Sequence, residues 1–260
     1  MLPPAGDLEL VRGAHRRVLQ SIDDLTDAQA AEPSRLPGWT RAEVITHLAR
    51  NADGIRNMVE GAARGEVAAM YPGGAEQRAA GIAAGRGERA ANLRTDLRKA
   101  CDRLTESWQT LPDDAWDRVG MTSIKRPVRE LPWVRLRETE VHHADLAVGY
   151  EPTDWPVRFI SGAFREIFDT FPQRSSNRRP LVDAEYLIVS TDHERAWRVA
   201  LRGNGVAVEE NPTDDGNDGE ARGWGCDLVA WLYGRDPRGG GIVASGDPSV
   251  LRLPQWFPFS

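Results

Sequence analysis

Three side chains that together suit a metal ion stand out in this sequence of 260 residues. Glu138 and His142 lie four residues apart on an apolar segment that is predicted to be helical. Side chains at positions i and i+4 project from one helical face, so this carboxylate and this imidazole can hold the same ion. His47 lies on another predicted helix and completes a set of two histidines and one carboxylate. Such a set, with a coordination position left for water or substrate, is typical of catalytic metal sites.

Each part of this set also has an ordinary interpretation. A single histidine on an apolar helix face is more often a hydrogen-bonded core residue than a ligand. A Glu–His pair at i, i+4 also occurs on solvated helices, where it contributes roughly a few tenths of a kcal/mol. Burying a carboxylate is costly unless it is compensated, and a divalent ion would compensate it. Asp145 is a candidate acceptor for a ligand N–H, with a capping or surface role as the open alternative, and Glu140 with His143 forms a pair ranked second.

The elements that must position these residues are predicted to be four helices. Helical periodicity covers three stretches, residues 8–25, 88–111 and 130–148. The capping box Thr40-x-x-Glu43 opens a further helix, which carries His47. The segment MYPGGAEQRAAGIAAGRG is predicted to be a glycine-rich loop, and residues 112–127 form another loop. Four long helices with inward polar groups favour a bundle whose site is built from facing helices.

The second half of the chain has a mixed pattern. GYEPTDWP is predicted to be a linker, NPTDDGNDGEARG a solvated acidic loop and LPQWFPFS an irregular tail. Helices are predicted over residues 157–171 and 227–233, a hairpin of two strands over 186–188 and 197–201, and a short strand in GIVASGD. We therefore predict an α+β protein, with a metal-binding helical bundle at residues 1–152 and a smaller α+β domain at residues 153–260.

Composition argues against several classes of protein. Hydrophobic residues make up 40% of the chain, which argues against wholesale disorder. The formal net charge of −6 gives no reason to expect nucleic acid or an acidic membrane surface as a partner. We find no apolar run of membrane-spanning length and no signal-peptide pattern, so we expect a cytoplasmic location. Cys101 is expected to be a buried core residue. Cys226 opens a helix whose N-terminus can lower a thiol pKa, but no histidine base is near it in sequence, so we do not expect a reactive thiol.

LPGWTRAEVITHLARNA and RLRETEVHHADLAVGY resemble the mycothiol-dependent maleylpyruvate isomerase family, metalloenzymes with a DinB-like four-helix bundle. MYPGGAEQRAAGI and LVAWLYGR extend the resemblance to nearly the whole chain, including a smaller, sterol-carrier-like C-terminal domain. The resemblance implies that zinc, or another divalent metal, is held by His47, Glu138 and His142. It also implies that Arg235 acts in catalysis and binds the substrate, and that Arg78 contributes to binding. For Arg235, a cation that satisfies the last carbonyls of a helix is the alternative.

The resemblance further implies an enzyme that uses the small thiol mycothiol to convert maleylpyruvate to fumarylpyruvate. A thiolate adds to the carbon–carbon double bond, the bond rotates, and elimination follows. A mycothiol S-transferase acting on another electrophile or biosynthetic intermediate is an alternative with the same metal and thiol. A non-haem iron oxygenase would use the same ligand set. A non-enzymatic protein that binds a small apolar ligand would need neither metal nor thiol. The acidic loop at residues 214–220 looks like an insertion, which leaves the substrate open.

Overall fold

A computed structural model describes residues 3–122, 124–173, 179, 181–203, 205–213, 216–237 and 241–258. The chain divides into two compact units, Met1–Glu151 and Pro152–Ser260, which we call the helical unit and the sheet unit. The predicted α+β class is confirmed, because the first unit is a helical bundle and the second is built on a β-sheet.

The helical unit contains the predicted four-helix bundle. Its helices are α1 (Ala5–Ser21), α2 (Asp27–Ala31), α3 (Arg41–Ala63), α4 (Gly74–Ala83), α5 (Ala90–Gln109) and α6 (Leu131–Asp145). The long helices α1, α3, α5 and α6 pack together, with α3 against α5 and α6, and α1 against α6. Their facing sides bury Val18, Leu48, Leu97 and Leu136 completely. This apolar contact is the main source of stability for helices of this length.

The predicted capping box at the start of α3 is confirmed. The Thr40 hydroxyl accepts a hydrogen bond from the backbone N–H of Glu43, and the Glu43 carboxylate accepts one from the backbone N–H of Thr40. Burial opposes ionisation of Glu43, but the bonds from Thr40 and the charge of Arg86 keep its pKa below the usual value. Since His47 lies one turn after Glu43, this cap fixes the direction in which its helix enters the bundle.

The segment predicted to be a glycine-rich loop contains helix α4, so that prediction was wrong. Its glycines cluster near the two ends, while Ala, Glu, Gln and Arg, which favour helix, occupy much of the middle. Gly85, just after α4, lies directly on α3, where a Cβ atom would come 2.0 Å from Thr46 Oγ1. The loop predicted at 112–127 likewise contains a small antiparallel hairpin, β1 (Val119–Met121) and β2 (Lys125–Pro127).

The sheet unit is a five-stranded sheet with three α-helices among its described residues. Its elements are α7 (Val157–Thr170), β3 (Ala184–Ser190), β4 (Arg195–Arg202), β5 (Gly205–Glu210), β6 (Gly219–Gly223), α8 (Gly225–Leu232), β7 (Ile242–Gly246) and α9 (Leu253–Trp256). The strand order is β5-β4-β3-β6-β7, and only the β3–β6 pair is parallel. The predicted hairpin is confirmed, with Ser190 paired to Arg195. Phe168 on α7 stacks on Trp197 with ring centroids 4.6 Å apart.

Three elements of the sheet unit differ from the predictions. Strand β5 was not predicted, the acidic run ends in strand β6, and the tail contains the single-turn helix α9. The buried positions of β6 are Gly219, Ala221 and Gly223, so its inward face has no large apolar residue to reveal an alternating pattern. Residues 214 and 215 of the acidic run lie outside the described residues. None of the helices in the described part of the chain combines the length and apolar character needed to cross a bilayer.

Candidate metal centre

The helical unit brings together the three side chains selected as metal ligands. One donor atom each from His47, Glu138 and His142 lies within 4.8 Å of the other two. Glu138 Oε2 is 3.2 Å from His47 Nε2 and 3.7 Å from His142 Nε2. The two imidazole rings are nearly perpendicular, with centroids 4.6 Å apart. The three groups therefore face one small volume between α3 and α6.

This donor set fits a divalent ion. Tetrahedral zinc with bonds of about 2.0–2.1 Å to nitrogen and oxygen places neighbouring donors roughly 3.3 Å apart. The observed separations of 3.2 and 3.7 Å are close to that value. Two imidazoles and one carboxylate also leave coordination positions for a small molecule, as catalytic sites require. The chemistry and the spacing of these residues suit a divalent metal ion.

Asp145 orients His142 in this site. Its carboxylate is almost completely buried, and Oδ2 accepts a hydrogen bond from His142 Nδ1 over 2.8 Å. Because Nδ1 carries the proton in that bond, the lone pair of Nε2 remains available on the side that faces Glu138. The structure thus places Asp145 as the acceptor that its position in the sequence suggested.

His47 is held in the neutral form that can bind a metal. It is 1% exposed, and its ring meets the Trp39 ring edge to face at 5.8 Å between centroids. Burial first, and then the charge of His142, lower the pKa of His47 to about 4, although the neighbouring Glu138 opposes the shift. The charge of Arg78 acts in the same direction. At neutral pH this imidazole therefore offers a lone pair without having to lose a proton.

Glu138 is ionised and partly open to solvent. Burial would raise the pKa of its carboxyl group, but the hydrogen bond from His47 and the charges of His142 and Arg137 hold the pKa well below its usual value. The Glu138 side chain is 22% exposed and that of His142 is 16% exposed. The carboxylate side of the site is therefore the side that a small molecule can reach.

The second-ranked pair, Glu140 and His143, occupies a different environment. Both residues are completely buried. Arg17 and Tyr150 donate hydrogen bonds to Glu140, while His143 contacts the Ser21 hydroxyl and stacks on Tyr150. Helix α6 packs against α1 as well as α3, so the side of α6 that carries this pair is buried too. These two residues join helices inside the bundle.

Two residues of the site were missed by the sequence analysis. The Asn51 side-chain amide donates to Glu138 Oε2 at 3.2 Å, and Arg135 Nη1 donates to Asn51 Oδ1 at 2.9 Å. A signal for both existed in the spacing. Asn51 is four residues after His47, and Arg135 is three residues before Glu138, so each lies on the same helical face as a ligand.

The two predicted substrate-binding arginines lie in different units. Arg78 is half-buried on α4, and its charge acts on both His47 and Tyr71. No ion pair joins Arg78 to a carboxylate within the described part of the chain. Arg235 follows α8 in the sheet unit, and its Nη1 donates to the Tyr233 carbonyl over 2.7 Å. Arg235 therefore makes the helix-terminal contact that was its alternative interpretation, and its role in substrate binding stays a prediction.

Comparison with known proteins places the chain in a family. Residues 11–147 match the family model described as the mycothiol maleylpyruvate isomerase N-terminal domain. A crystal structure of a mycothiol-dependent maleylpyruvate isomerase shares the fold, with a TM-score of 0.78, 24% identity, and coverage of 94% of this chain and 93% of that chain. A histidine-to-alanine mutant of such an isomerase is similar at 23% identity, with the same TM-score and coverage. No match was found among curated proteins. Because the matched segment spans more than half of its residues, this chain belongs to the mycothiol maleylpyruvate isomerase family.

Proposed function

We propose that this protein is a metal-dependent, mycothiol-dependent enzyme that isomerises maleylpyruvate to fumarylpyruvate. The observation that carries the proposal is the convergence of His47, Glu138 and His142 within 4.8 Å. Membership of the family supports the use of mycothiol, and the similar crystal structures bear the name of the isomerase. The substrate is the part of the proposal that rests on this likeness alone.

The reaction needs a nucleophile that this chain does not itself supply. Cis–trans isomerisation by addition and elimination requires a group that adds to the double bond, allows rotation about the resulting single bond, and leaves again. Cys101 is 2% exposed and Cys226 is 5% exposed. Burial raises the pKa of Cys226 to about 11, so its place at a helix N-terminus does not make it a reactive thiol. An external thiol supplies the missing nucleophile.

His47, Glu138 and His142 would hold the metal, for which we propose zinc. When bound, the ion would supply a positive charge that keeps a coordinated thiol deprotonated at neutral pH. The chain prepares for this in two ways, because His47 is neutral and Asp145 fixes the tautomer of His142. Glu138 adds the negative charge that a divalent ion requires, and its exposed side leaves room for the thiol.

Arginine side chains would orient the carboxylates of the substrate. A guanidinium group binds a carboxylate through two parallel hydrogen bonds, which fixes position as well as charge. We propose Arg78 for this role because it is half-buried, is close enough to act on His47, and is not neutralised by a carboxylate among the described residues. Arg235 is proposed as a second substrate-binding and catalytic residue on the family resemblance. Arg78→Ala is expected to raise KM more than it lowers kcat.

Metal analysis combined with a thiol-dependence assay tests the proposal. The purified protein is expected to contain about one zinc per chain and to convert maleylpyruvate only when mycothiol is present. His47→Ala should lose both the zinc and the turnover while far-UV circular dichroism remains unchanged. His193→Ala, which removes a histidine of the sheet unit, is the matched control and should keep both. Full turnover by metal-free protein would refute the metal-dependent mechanism.

The same assay separates the alternatives. A stable conjugate of mycothiol with the electrophile, without fumarylpyruvate, would identify an S-transferase. Bound iron in place of zinc would favour an oxygenase. Absence of both metal binding and thiol-dependent chemistry would favour a protein that only binds a small ligand.

A further inference from the structure

We infer that Asn51 is a positioning residue that holds the Glu138 carboxylate in its metal-binding orientation, and that the buried Arg135 holds Asn51 in turn. The inference rests on the proposed metal site. It assigns a role to two residues that are not themselves metal ligands. Its basis is the chain of hydrogen bonds from Arg135 through Asn51 to Glu138.

The chemistry of the guanidinium group determines which way the Asn51 amide points. Arginine can only donate hydrogen bonds, so the atom 2.9 Å from Arg135 Nη1 must be the amide oxygen of Asn51. The amide nitrogen is then directed at Glu138 Oε2, which lies 3.2 Å away. A freely rotating amide would present its oxygen to that carboxylate part of the time, and the two oxygens would repel each other. Arg135 removes that possibility.

Arg135 is a rigid base for this arrangement. It is completely buried and also donates to the Leu48 carbonyl at 2.8 Å and to His15 Nε2 at 3.0 Å. Its remaining contact is Cys101 Sγ at 3.6 Å. Burial, followed by the charge of Arg135, keeps the pKa of His15 well below its usual value, so His15 accepts as a neutral ring. These partners lie on α1, α3 and α5, and together they fix the guanidinium on three sides.

The hydrogen-bond partners found for Arg135 in the described part of the chain are all uncharged. A buried charge is costly when no opposite charge is paired with it, and replacing buried charged groups by apolar side chains of similar volume is often neutral or stabilising. The carboxylate that this chain of hydrogen bonds reaches is Glu138, through Asn51. The arrangement therefore fixes the orientation of the Glu138 carboxylate at some cost to the stability of the fold, as expected of groups that orient a metal ligand.

Zinc affinity of Asn51→Leu tests the inference. Leucine is similar in size to asparagine but cannot donate to Glu138, and partners that orient metal ligands typically contribute 10–100-fold to affinity. We expect the zinc Kd, measured by competition with a chromophoric chelator, to rise by about 10–100-fold. Asn57→Leu is the matched control, because Asn57 lies on the same helix and contacts the Met70 carbonyl instead. Its zinc Kd should equal that of the wild type. Far-UV circular dichroism checks that both variants are folded.

An unchanged zinc Kd in folded Asn51→Leu would overturn the positioning role while leaving the metal site intact. Failure of the wild type to bind zinc, by contrast, would overturn the proposed function first and the inference with it. If Asn51→Leu does not fold, nuclear magnetic resonance of the wild type decides the question. The side-chain amide signals of Asn51 should exchange slowly with solvent and shift on addition of zinc, while those of Asn57 stay in place. Rapidly exchanging Asn51 signals that do not respond to zinc would overturn the inference.

Discussion

His142 and Asp145, three residues apart near the end of α6, form a hydrogen bond of 2.8 Å between Nδ1 and Oδ2. The carboxylate is 1% exposed, so solvent does not compete for it. The pair settles which nitrogen of His142 carries the proton and which faces Glu138. The local contact with Asp145 thus orients the His142 ring toward Glu138 and, across the bundle, toward His47.

Replacing Asp145 is expected to weaken zinc binding without removing a ligand. In Asp145→Ala, His142 loses the acceptor that fixes its tautomer, and the zinc Kd should rise by about 10–100-fold. Asp145→Asn keeps an oxygen in place but loses the charge, so its Kd should lie between those of the alanine variant and the wild type. Asp102→Ala, which removes an exposed carboxylate on α5, is the control. Equal affinity in all four proteins would show that Asp145 has no orienting role.

The two cysteines are expected to be dispensable for turnover. Cys101 and Cys226 are both buried, and burial raises both of their thiol pKa values. The double variant Cys101→Ala, Cys226→Ala should keep mycothiol-dependent activity within about twofold of the wild type. Its free energy of unfolding should fall, because each truncation removes packed atoms from a core. Loss of activity in a folded double variant would mean that the chain supplies its own nucleophile.

The convergence of His47, Glu138 and His142 was accessible from the sequence because it depends on local geometry. Glu138 and His142 share a face of α6 by their spacing alone, and the Thr40–Glu43 box defines where α3 begins and hence which way His47 points. In a bundle of four long helices, sites are built from side chains on facing helices, which is why His47 was expected to meet that face. Asn51 and Arg135 lie on the same helical faces as His47 and Glu138, so the same reasoning from sequence could have selected them.

What the sequence did not reveal depends on contacts between distant residues. Glu140 and Glu138 are both carboxylates on α6, yet one is completely buried against Arg17 and Tyr150 while the other is partly exposed at the site. The difference arises because α1 covers one face of α6, and the sequence pattern of α6 alone does not show which face that is.

Strand β6 escaped prediction for a related reason. At Gly219 a Cβ atom would come 2.4 Å from the Asp247 carbonyl. The glycine therefore reflects the close approach of the neighbouring backbone, and it gives no strand signal in the sequence.

Two glycines near α4 should respond in opposite ways to alanine. At Gly85 a Cβ atom would come 2.0 Å from Thr46 Oγ1 and 3.1 Å from the Ala42 carbonyl, so Gly85→Ala forces the turn away from α3. We expect the free energy of unfolding to fall by about 1–3 kcal/mol. At Gly81 the nearest atom is Arg50 Cγ at 3.5 Å, an ordinary contact, so Gly81→Ala should be neutral or stabilising by up to about 1 kcal/mol. Urea denaturation measures both, and similar values for the two variants would contradict this packing.

Acid should destabilise the metal-free helical unit through its buried histidines. Burial, followed by the charge of Arg17, lowers the pKa of His143 from 6.5 to about 3. Burial lowers the pKa of His47 to about 4, and that of His15 also lies well below the usual value. Because these native pKa values are depressed, the unfolded chain takes up protons first as the pH falls. Their contribution to stability is therefore complete above about pH 6.5 and declines steadily below it.

A comparison of the wild type with His143→Gln isolates one of these groups. His143 is completely buried, and glutamine can still bond to the Ser21 hydroxyl but cannot take up a proton. Between pH 7.5 and pH 5 a histidine shifted to this extent loses about 2 kcal/mol of stabilisation. The free energy of unfolding from urea titrations of metal-free protein should therefore fall by about 2 kcal/mol less in His143→Gln than in the wild type. Identical pH dependence in the two proteins would show that His143 already binds a proton in the folded state, in conflict with its burial beside Arg17.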